Sequence, residues 1–402
     1  MVLLLLPFIA YFIWEAYWYT QVGLRIVKWH THVVEYVYVW LAGVFVFRLC
    51  SGGSFSERGK NLFLLFTSMM MALGIMETTL QITGTTKTYL ENVNGEYTSP
   101  YSSLDRTWYH TWSSTTHEHR LKKPEYDYWR PTNVLGFGDS TWSFPKKTTE
   151  KRLMTLGDSF TEGDGAPYDS SYVALLKQKL LAAGDTFYVM NAGVCGSDPF
   201  DNYINLRDRL LVYSPQVIVQ VLASNDLTTD ILLRGGMERF KEDGTQQYKS
   251  APWWEPVYAF SYISRLFFKK AGYNELLRKG GLTAAEEKEL NAQLSALFKT
   301  YAWLCRQNQI KLIVVLRPDR GELAVNKYDY DFSAILSGLQ ADSVKVIDLL
   351  PAYQSYMQKN HSQSTAYFWR YDGHHNAAGY EMMAQSIFEN ISPLLRDTSM
   401  VP

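Results

Sequence analysis

The stretch Gln216-Val-Ile-Val-Gln-Val-Leu222 is an almost uninterrupted apolar run in the middle of the chain. A run of this kind predicts a strand that is covered on both faces, as the strands of a parallel sheet are. Four shorter apolar runs are of the same type, at 152–156, 187–190, 312–316 and 344–349. Helix-like segments lie between the runs, so the sequence predicts an α/β fold in which helices cover both faces of a parallel sheet.

The composition excludes several classes of protein. The chain has 402 residues, with 39 Lys and Arg against 40 Asp and Glu, so no strong overall charge points to a nucleic-acid partner. Its three cysteines, Cys50, Cys195 and Cys305, are too few and too widely spaced for a disulfide framework. Because no CxxC pair occurs, the sequence predicts neither a zinc site nor a redox site built on cysteine.

Three apolar stretches, at 2–22, 33–49 and 62–80, open the chain. A membrane-spanning helix needs about 17–25 mostly apolar residues, which the third stretch meets comfortably and the other two meet marginally. We therefore predict two or three N-terminal transmembrane helices in contact with membrane lipid. Glu15 and Glu35 lie within the first two stretches. They mark either packing against another membrane subunit or positions near the lipid headgroups.

The sequence divides into three regions. Residues 1–83 form a membrane anchor, 84–150 form a connector or peripheral layer, and 151–402 contain the pattern of strands and helices. The middle region is rich in Ser, Thr, Tyr and Trp, and its three histidines are His110, His117 and His119. A metal site at these histidines is one interpretation. No second set of ligands follows at a recognisable spacing, which favours solvated loop histidines.

Polar residues follow three of the predicted strands, and the carboxyl ends of parallel strands are where open sheets place their sites. Ser159, in Gly157-Asp-Ser159, begins a predicted helix, whose amides stabilise an anion. The alternative is an ordinary glycine turn with a helix cap. Gly196 follows the second strand, where glycine lets a backbone amide approach a ligand. Asn225 follows the run at 216–222 and has a side-chain amide suited to an oxyanion.

The segment Asp372-Gly-His374-His375 precedes a predicted helix near the C-terminus. An Asp three residues before a His orients the imidazole and leaves the other ring nitrogen free to accept a serine proton. This spacing favours His375 as the general base, with Asp372 as its orienting carboxylate. The neighbouring His374 is the alternative candidate.

Taken together, these four segments resemble the signature of the SGNH (GDSL) hydrolase family over roughly residues 151–395. The matching residues are Gly157, Asp158, Ser159, Gly196, Asn225, Asp372 and His375. One departure is Ala223, which stands where the family usually has glycine. The resemblance implies a flavodoxin-like three-layer sandwich with a parallel sheet.

The resemblance also implies a role for each matching residue. Ser159 is expected to be the nucleophile, His375 the general base and Asp372 the residue that orients it. The oxyanion hole is expected to consist of the backbone N–H groups of Ser159 and Gly196 and the side chain of Asn225. No cofactor or metal is expected for this chemistry.

These features predict a membrane-anchored serine esterase that cleaves acyl or O-acetyl esters of an envelope glycan or lipid. Two alternatives stay open: an O-acyltransferase that uses the same triad on an envelope sugar, and a non-catalytic scaffold subunit of a membrane complex. The basic residues around the apolar stretches do not fix the orientation in the membrane. The expectation of an extracytoplasmic catalytic domain therefore rests on the resemblance.

Overall fold

The chain divides into two compact units. One contains residues 1–106 and 233–282, and the other contains residues 107–232 and 283–402. The computed structural model describes residues 39–46, 56–86, 111, 117–227, 231–232, 235–242, 257–258, 261–271 and 283–396. All the matching residues of the hydrolase signature belong to the second unit.

The second unit is built around a five-stranded parallel sheet. The strands of this unit are β1 (Glu118–Lys123), β2 (Tyr126–Pro131), β3 (Lys151–Leu156), β4 (Phe187–Asn191), β5 (Val217–Leu222), β6 (Lys311–Leu316) and β7 (Lys345–Asp348). The sheet has the order β4-β3-β5-β6-β7, and every neighbouring pair is parallel. This is the strand order of flavodoxin-like folds. Each predicted apolar run is a strand, so the predicted fold class is confirmed.

Helices connect the strands and cover the sheet. In this second unit the α-helices are Ser159–Glu162, Tyr172–Ala182, Pro199–Asn205, Ala284–Gln307, Arg320–Val325, Ser333–Ala341, Leu349–Lys359 and Ala377–Arg396. The first unit contains helices Glu57–Thr83 and Tyr262–Lys270. Local sequence explains where several of them begin. Thr283 and Glu286 form a reciprocal capping box at the start of one helix, and the Ser171 hydroxyl caps another.

Alternate side chains of the central strand β5 face different layers of the sandwich. Val219 belongs to the apolar core that includes helix Ala377–Arg396. Gln220 faces the other layer, where its side-chain oxygen accepts a 3.2 Å hydrogen bond from the Tyr301 hydroxyl of helix Ala284–Gln307. The strand is buried along its whole length, as its apolar sequence predicts.

In the first unit, helix Glu57–Thr83 is long and apolar enough to cross a membrane. Large apolar side chains such as Leu64 and Ile75 are exposed along it. The first predicted span, 2–22, lies outside the described residues, and of the second only 39–46 is described, as helix. The number of spans therefore stays a prediction.

Glu77, the acid near the end of that helix, is buried in the first unit. Its carboxylate accepts hydrogen bonds from the backbone N–H groups of Tyr262 and Ile263, at the start of helix Tyr262–Lys270. A carboxylate at this place caps the helix and interacts favourably with its dipole. This contact explains why residues 233–282 group with the N-terminal segment.

Most of the predicted 84–150 region lies in the second unit. Residues 107–150 belong to the unit that contains the sheet, and within them β1 and β2 pair as an antiparallel hairpin. Tyr126, Tyr128 and Arg130 are buried, whereas the residues between them are exposed. This period of two gives the hairpin one buried face, which packs within the second unit.

Candidate active site

Ser159 is the first residue of a one-turn helix that follows β3. Asp158 caps this helix, because its carboxylate accepts a 3.0 Å hydrogen bond from the Phe160 N–H. Gly157 is required on steric grounds, since a Cβ there would lie 2.2 Å from the Thr161 hydroxyl oxygen. The turn thus places the Ser159 hydroxyl at the carboxyl edge of the sheet, at a helix end whose first amides have no partner within the helix.

Asp372 and His374 form a hydrogen-bonded line with Ser159. The Ser159 Oγ lies 2.7 Å from His374 Nε2, and His374 Nδ1 lies 2.5 Å from Asp372 Oδ1. A hydroxyl, an imidazole and a carboxylate in this order form the arrangement that activates a serine nucleophile. The structure therefore brings together two of the three predicted catalytic residues, with a different histidine between them.

His375, the predicted general base, faces away from the serine and is fully buried. Its Nδ1 donates a 3.0 Å hydrogen bond to the Tyr367 carbonyl, and its Nε2 lies 3.3 Å from the Tyr353 hydroxyl. His375 pairs with Phe368 in an antiparallel bridge, so the chain is extended there and neighbouring side chains point in opposite directions. The expectation for His375 is therefore corrected: His374 lies next to the serine, and the spacing is Asp-x-His.

The electrostatics of the His374–Asp372 pair favour a charged imidazole. Burial lowers the pKa of His374, but the Asp372 hydrogen bond and the charges of Asp164, Asp372 and Asp158 raise it by more, so that it lies above its ordinary value. Burial raises the pKa of Asp372, but the hydrogen bond and charge of His374, and then the charge of Lys123, lower it to about 2. Asp372 is therefore ionised at neutral pH.

Gly196 lies in the turn that follows β4, the strand next to β3. Two hydrogen bonds to the Gly157 carbonyl tie this turn to the nucleophile turn. The Val194 N–H donates one at 3.0 Å, and the Ser197 hydroxyl donates the other at 2.9 Å. The predicted oxyanion-hole glycine is thus carried by a segment that is fixed to the turn before Ser159.

Asn225 lies in a single 3₁₀ turn directly after β5, on the other side of β3. Ala223, which precedes this turn in place of the usual glycine, has φ −132° and ψ 159°. This is extended backbone that any residue adopts, so the departure from the family pattern causes no strain. Because β4, β3 and β5 are parallel neighbours, the backbones of Ser159, Gly196 and Asn225 lie at one edge of the sheet.

A layer of charged side chains, most of them buried, lies close to the turn that carries Ser159. The guanidinium of Arg317, just after β6, lies 3.5 Å from the centre of the Phe160 ring, and one of its nitrogens lies 3.6 Å from Asp158 Oδ2. Asp226 adds a second carboxyl group. Burial, and then the charge of Asp158, raise the pKa of Asp226 well above its ordinary value. Asp226 is therefore held towards its protonated form beside the Asp158–Arg317 pair.

His375 belongs to the same buried layer. Burial, and then the positive charge of Arg317, lower its pKa to about 3. Its ring centre lies 4.2 Å from that of Phe368 and 5.2 Å from that of Phe160. His375 is therefore uncharged at neutral pH and packs as a core residue.

The hairpin contributes contacts that the sequence analysis missed. Arg130 is 1% exposed and bonds Glu162 at 2.8 Å and Asp164 at 2.9 Å, both in the segment that follows Ser159. The Tyr126 hydroxyl donates a 3.2 Å hydrogen bond to Oδ1 of Asp372. The alternation Tyr126-Asp127-Tyr128 indicates the start of a strand with one buried face. The pattern breaks after Tyr128, where Trp129 is exposed and Arg130 is buried, so the local sequence does not indicate the Arg130 contacts.

One cluster of acidic side chains within the described residues is close enough to hold a metal ion: Asp319, Glu322 and Asp329. Asp319 and Glu322 form a capping box at a helix start, and the Asp329 N–H donates to Glu322 at 2.8 Å. The cluster therefore has a structural role as a helix cap. Of the three histidines in the predicted connector, His117 and His119 are described and lie outside this cluster.

Residues 155–382, more than half of the chain, match the sequence model of the GDSL-like lipase/acylhydrolase family. The matched stretch contains Ser159, Gly196, Asn225, Asp372 and His374. The chain therefore belongs to this family. It is a serine ester hydrolase of the SGNH/GDSL type.

Several solved structures are similar to this chain. An acetyl xylan esterase, AlAXEase, is 16% identical over 60% of this chain and 99% of its own, with a TM-score of 0.39. A lipase/acylhydrolase from Enterococcus faecalis is 17% identical over 61% and 96%, with a TM-score of 0.36. A two-domain esterase (CEX) active on acetylated mannans is 10% identical over 62% and 50%, with a TM-score of 0.39. No curated protein matches the chain.

Proposed function

We propose that Ser159, His374 and Asp372 are the catalytic triad of a membrane-anchored esterase. The observation that carries the proposal is the pair of hydrogen bonds that joins them, 2.7 Å from Ser159 Oγ to His374 Nε2 and 2.5 Å from His374 Nδ1 to Asp372 Oδ1. An ionised Asp372 keeps the proton of neutral His374 on Nδ1. Nε2 is then free to accept the serine proton, which is the tautomer that this chemistry requires.

The first half-reaction forms an acyl-enzyme. The Ser159 oxygen attacks the ester carbonyl carbon while its proton moves to His374 Nε2. The carbonyl oxygen becomes an oxyanion, for which the family resemblance assigns three donors: the Ser159 N–H, the Gly196 N–H and the side chain of Asn225. The carbon–oxygen bond to the alcohol then breaks. The alcohol oxygen takes the proton from His374, and the acyl group stays on Ser159.

The second half-reaction releases the acid. A water molecule attacks the acyl carbon and gives its proton to His374 Nε2, and the bond to Ser159 breaks as the serine oxygen recovers that proton. His374 is therefore an imidazolium twice in each turnover. Asp372, whose pKa is about 2, remains ionised and stabilises that positive charge each time.

The proposed substrate class rests on the proposed membrane anchor. Helix Glu57–Thr83 is long and apolar enough to cross a membrane, which supports anchoring. An anchored hydrolase meets esters that lie at the membrane surface or in the adjacent envelope. We therefore propose acyl or O-acetyl esters of an envelope glycan or lipid as substrates. The proposed extracytoplasmic side of the hydrolase unit rests on the family resemblance.

Hydrolysis of p-nitrophenyl acetate by the full chain in detergent tests the triad. Ser159→Ala should reduce p-nitrophenol release to the background rate. The matched control is Ser337→Ala, an exposed serine on helix Ser333–Ala341 whose hydroxyl bonds only the Ser333 carbonyl of its own helix. Its rate should equal that of the wild type. Wild-type turnover by Ser159→Ala would refute the proposal.

Product analysis with an O-acetylated envelope glycan tests the substrate class. The proposal predicts that free acetate accumulates and that the glycan loses its acetyl groups. Acetyl groups that appear on an added sugar acceptor instead would favour the acyltransferase alternative.

Protease digestion tests the orientation in cells whose outer layers are permeabilised and whose cytoplasmic membrane is intact. The proposal predicts that the protease digests the hydrolase unit. Protection of the hydrolase unit in these cells would contradict the proposed orientation.

A further inference from the structure

The tip of the β1–β2 hairpin lies against the loop that carries Asp372. Glu125, at this tip, accepts three backbone hydrogen bonds through its carboxylate. The donors are the N–H groups of Arg370 at 2.9 Å, Tyr371 at 2.9 Å and Asp372 at 2.8 Å. Successive amides that converge on one anion form a nest, which favours a negative charge. Glu125 therefore fixes the backbone of the loop at Asp372 and at the two residues before it.

Two other hairpin residues contact the Asp372 side chain itself. The Lys123 ammonium lies 3.3 Å from Oδ2, and the Tyr126 hydroxyl donates a 3.2 Å hydrogen bond to Oδ1. Oδ1 is also the oxygen that bonds His374. Both carboxylate oxygens are thus engaged by the hairpin, which fixes the orientation of the carboxylate that His374 meets.

The same hairpin is held on the nucleophile side of the site. Arg130 is buried between the carboxylates of Glu162 and Asp164, and the Tyr128 hydroxyl accepts a 2.8 Å hydrogen bond from the Gly165 N–H. Removing one partner from a buried ion pair leaves an uncompensated buried charge, so such contacts resist displacement. The hairpin therefore contacts both the segment that follows Ser159 and the loop that carries Asp372.

We propose that Lys123, Glu125 and Tyr126, here called the clamp, are positioning residues. They hold the Asp372 carboxylate in hydrogen-bonding position for His374 and set the charge around that pair. This proposal rests on the proposed triad. The clamp lies before residue 155, where the match to the family begins. The segment that precedes the hydrolase motif is therefore part of the active site and more than a connector.

The positive charge of Lys123 has an effect of definite sign. The charged and titratable groups around the His374–Asp372 pair are Lys123, Glu125, Tyr126, Asp158, Asp164, Arg317 and His375. The Lys123 ammonium favours an ionised Asp372 and opposes a second positive charge on His374. Its removal should therefore raise the pKa of His374 and move the acidic limb of activity to higher pH.

Lys123→Met in the full chain tests this effect through the pH profile of kcat/KM. We expect the midpoint of the acidic limb to rise by about 0.3–1 pH unit, so that activity on that limb falls about two- to tenfold. Lys122→Met, which removes an exposed lysine from the same strand, is the matched control and should leave the midpoint unchanged. A merely structural role for Lys123 would lower activity equally at all pH values, and that result would overturn the proposal.

Glu125→Gln and Tyr126→Phe test the positioning of Asp372. Glu125→Gln should lower kcat about 10–100-fold with KM changed less than about twofold, because misplaced catalytic groups lose rate rather than binding. Tyr126→Phe keeps the ring contacts with Tyr128 and Trp369 and loses only the hydroxyl, so its fall should be smaller, about three- to tenfold. Glu118→Gln, an exposed acid at the start of the same hairpin, is the control.

The outcomes separate the clamp from the proposed function. If the wild type neither hydrolyses esters nor reacts with a fluorophosphonate at Ser159, the proposed function is wrong. The clamp proposal, which rests on that function, then fails with it. If the wild type is active but Lys123→Met keeps the wild-type acidic limb, the clamp alone is overturned. Tyr126→Phe and Lys123→Met decide the question even if Glu125→Gln fails to fold.

Discussion

His374 and His375 are neighbours in the sequence and occupy opposite environments. The side chain of His374 is 21% exposed, bonds Ser159 and Asp372, and has a pKa above its ordinary value. His375 is fully buried, bonds a backbone carbonyl and a tyrosine, and has a pKa of about 3. Burial and partners, and not the distance in sequence from Asp372, therefore decide which imidazole can take a proton.

The same contrast extends to two groups of residues. The reaction face comprises Ser159, Asp372 and His374. The buried layer comprises Asp158, Arg317 and His375, with the partly exposed Asp226 beside them. Substitutions in the reaction face should change the rate and leave the stability of the fold nearly unchanged. Substitutions in the buried layer should change stability first, because they leave buried polar groups without partners.

The largest expected effect is that of His374→Ala. Loss of the general base should lower kcat/KM by about 10⁴-fold, with only a small change in the unfolding temperature. His375→Gln should retain at least about a tenth of the wild-type kcat/KM but unfold at a lower temperature. Kinetics with p-nitrophenyl acetate and thermal unfolding measure both. An inactive His375→Gln protein of wild-type stability would break the contrast between the two histidines.

Asn225→Ala tests the predicted oxyanion hole. Loss of one donor should reduce kcat by about 10²–10³-fold with little change in KM, because the interaction forms as charge develops on the carbonyl oxygen. Asn360→Ala, at an exposed position after helix Leu349–Lys359, is the matched control and should behave as the wild type. A fall of less than about threefold in Asn225→Ala would remove Asn225 from the oxyanion hole.

The buried neutral state of His375 should make stability depend on pH. Its pKa of about 3 in the folded protein lies below the value of about 6.5 in the unfolded chain, so the unfolded chain binds more protons between these values. The stability from this group is complete above about pH 6.5 and falls by about 2 kcal/mol as the pH drops to 5. Urea unfolding of the wild type and His375→Gln at both pH values measures the difference. Equal losses in the two proteins would contradict it.

The smallest expected effect is the pH dependence of activity, which compares the pKa of His374 with that of an ordinary histidine. His374 must be uncharged to accept the Ser159 proton, and its pKa is raised. The acidic limb of kcat/KM should therefore have its midpoint above the ordinary histidine value of about 6.5. Activity should rise with pH through that midpoint, and Asp372 should contribute no limb above about pH 3. A midpoint below 6 would contradict the charge environment of His374.

The sheet could be predicted from the sequence because its strands are buried on both faces. A short apolar run such as 312–316, between helix-like segments, is typical of a strand that is covered on both faces, and it forms β6. Ser159 could be predicted because a glycine turn after a buried strand and before a helix has a restricted geometry. In both cases the determinants lie within a few residues of one another.

The histidine and the hairpin could not be predicted in the same way. The choice between His374 and His375 depends on the bridge between His375 and Phe368, which sets the direction of each side chain. The clamp depends on contacts between residues about 245 positions apart, such as Tyr126 and Asp372. A local pattern indicates the strand at 126–131 but does not say which loop it meets.

Covalent labelling of the full chain with a fluorophosphonate tests the central claim, that His374 activates Ser159, most directly. Mass mapping of the modified peptide identifies the labelled residue in the wild type, Ser159→Ala, His374→Ala and His375→Gln. The geometry predicts rapid labelling at Ser159 in the wild type and in His375→Gln, and labelling slowed by several orders of magnitude or absent in the other two. Rapid labelling of His374→Ala together with its loss in His375→Gln would contradict the account.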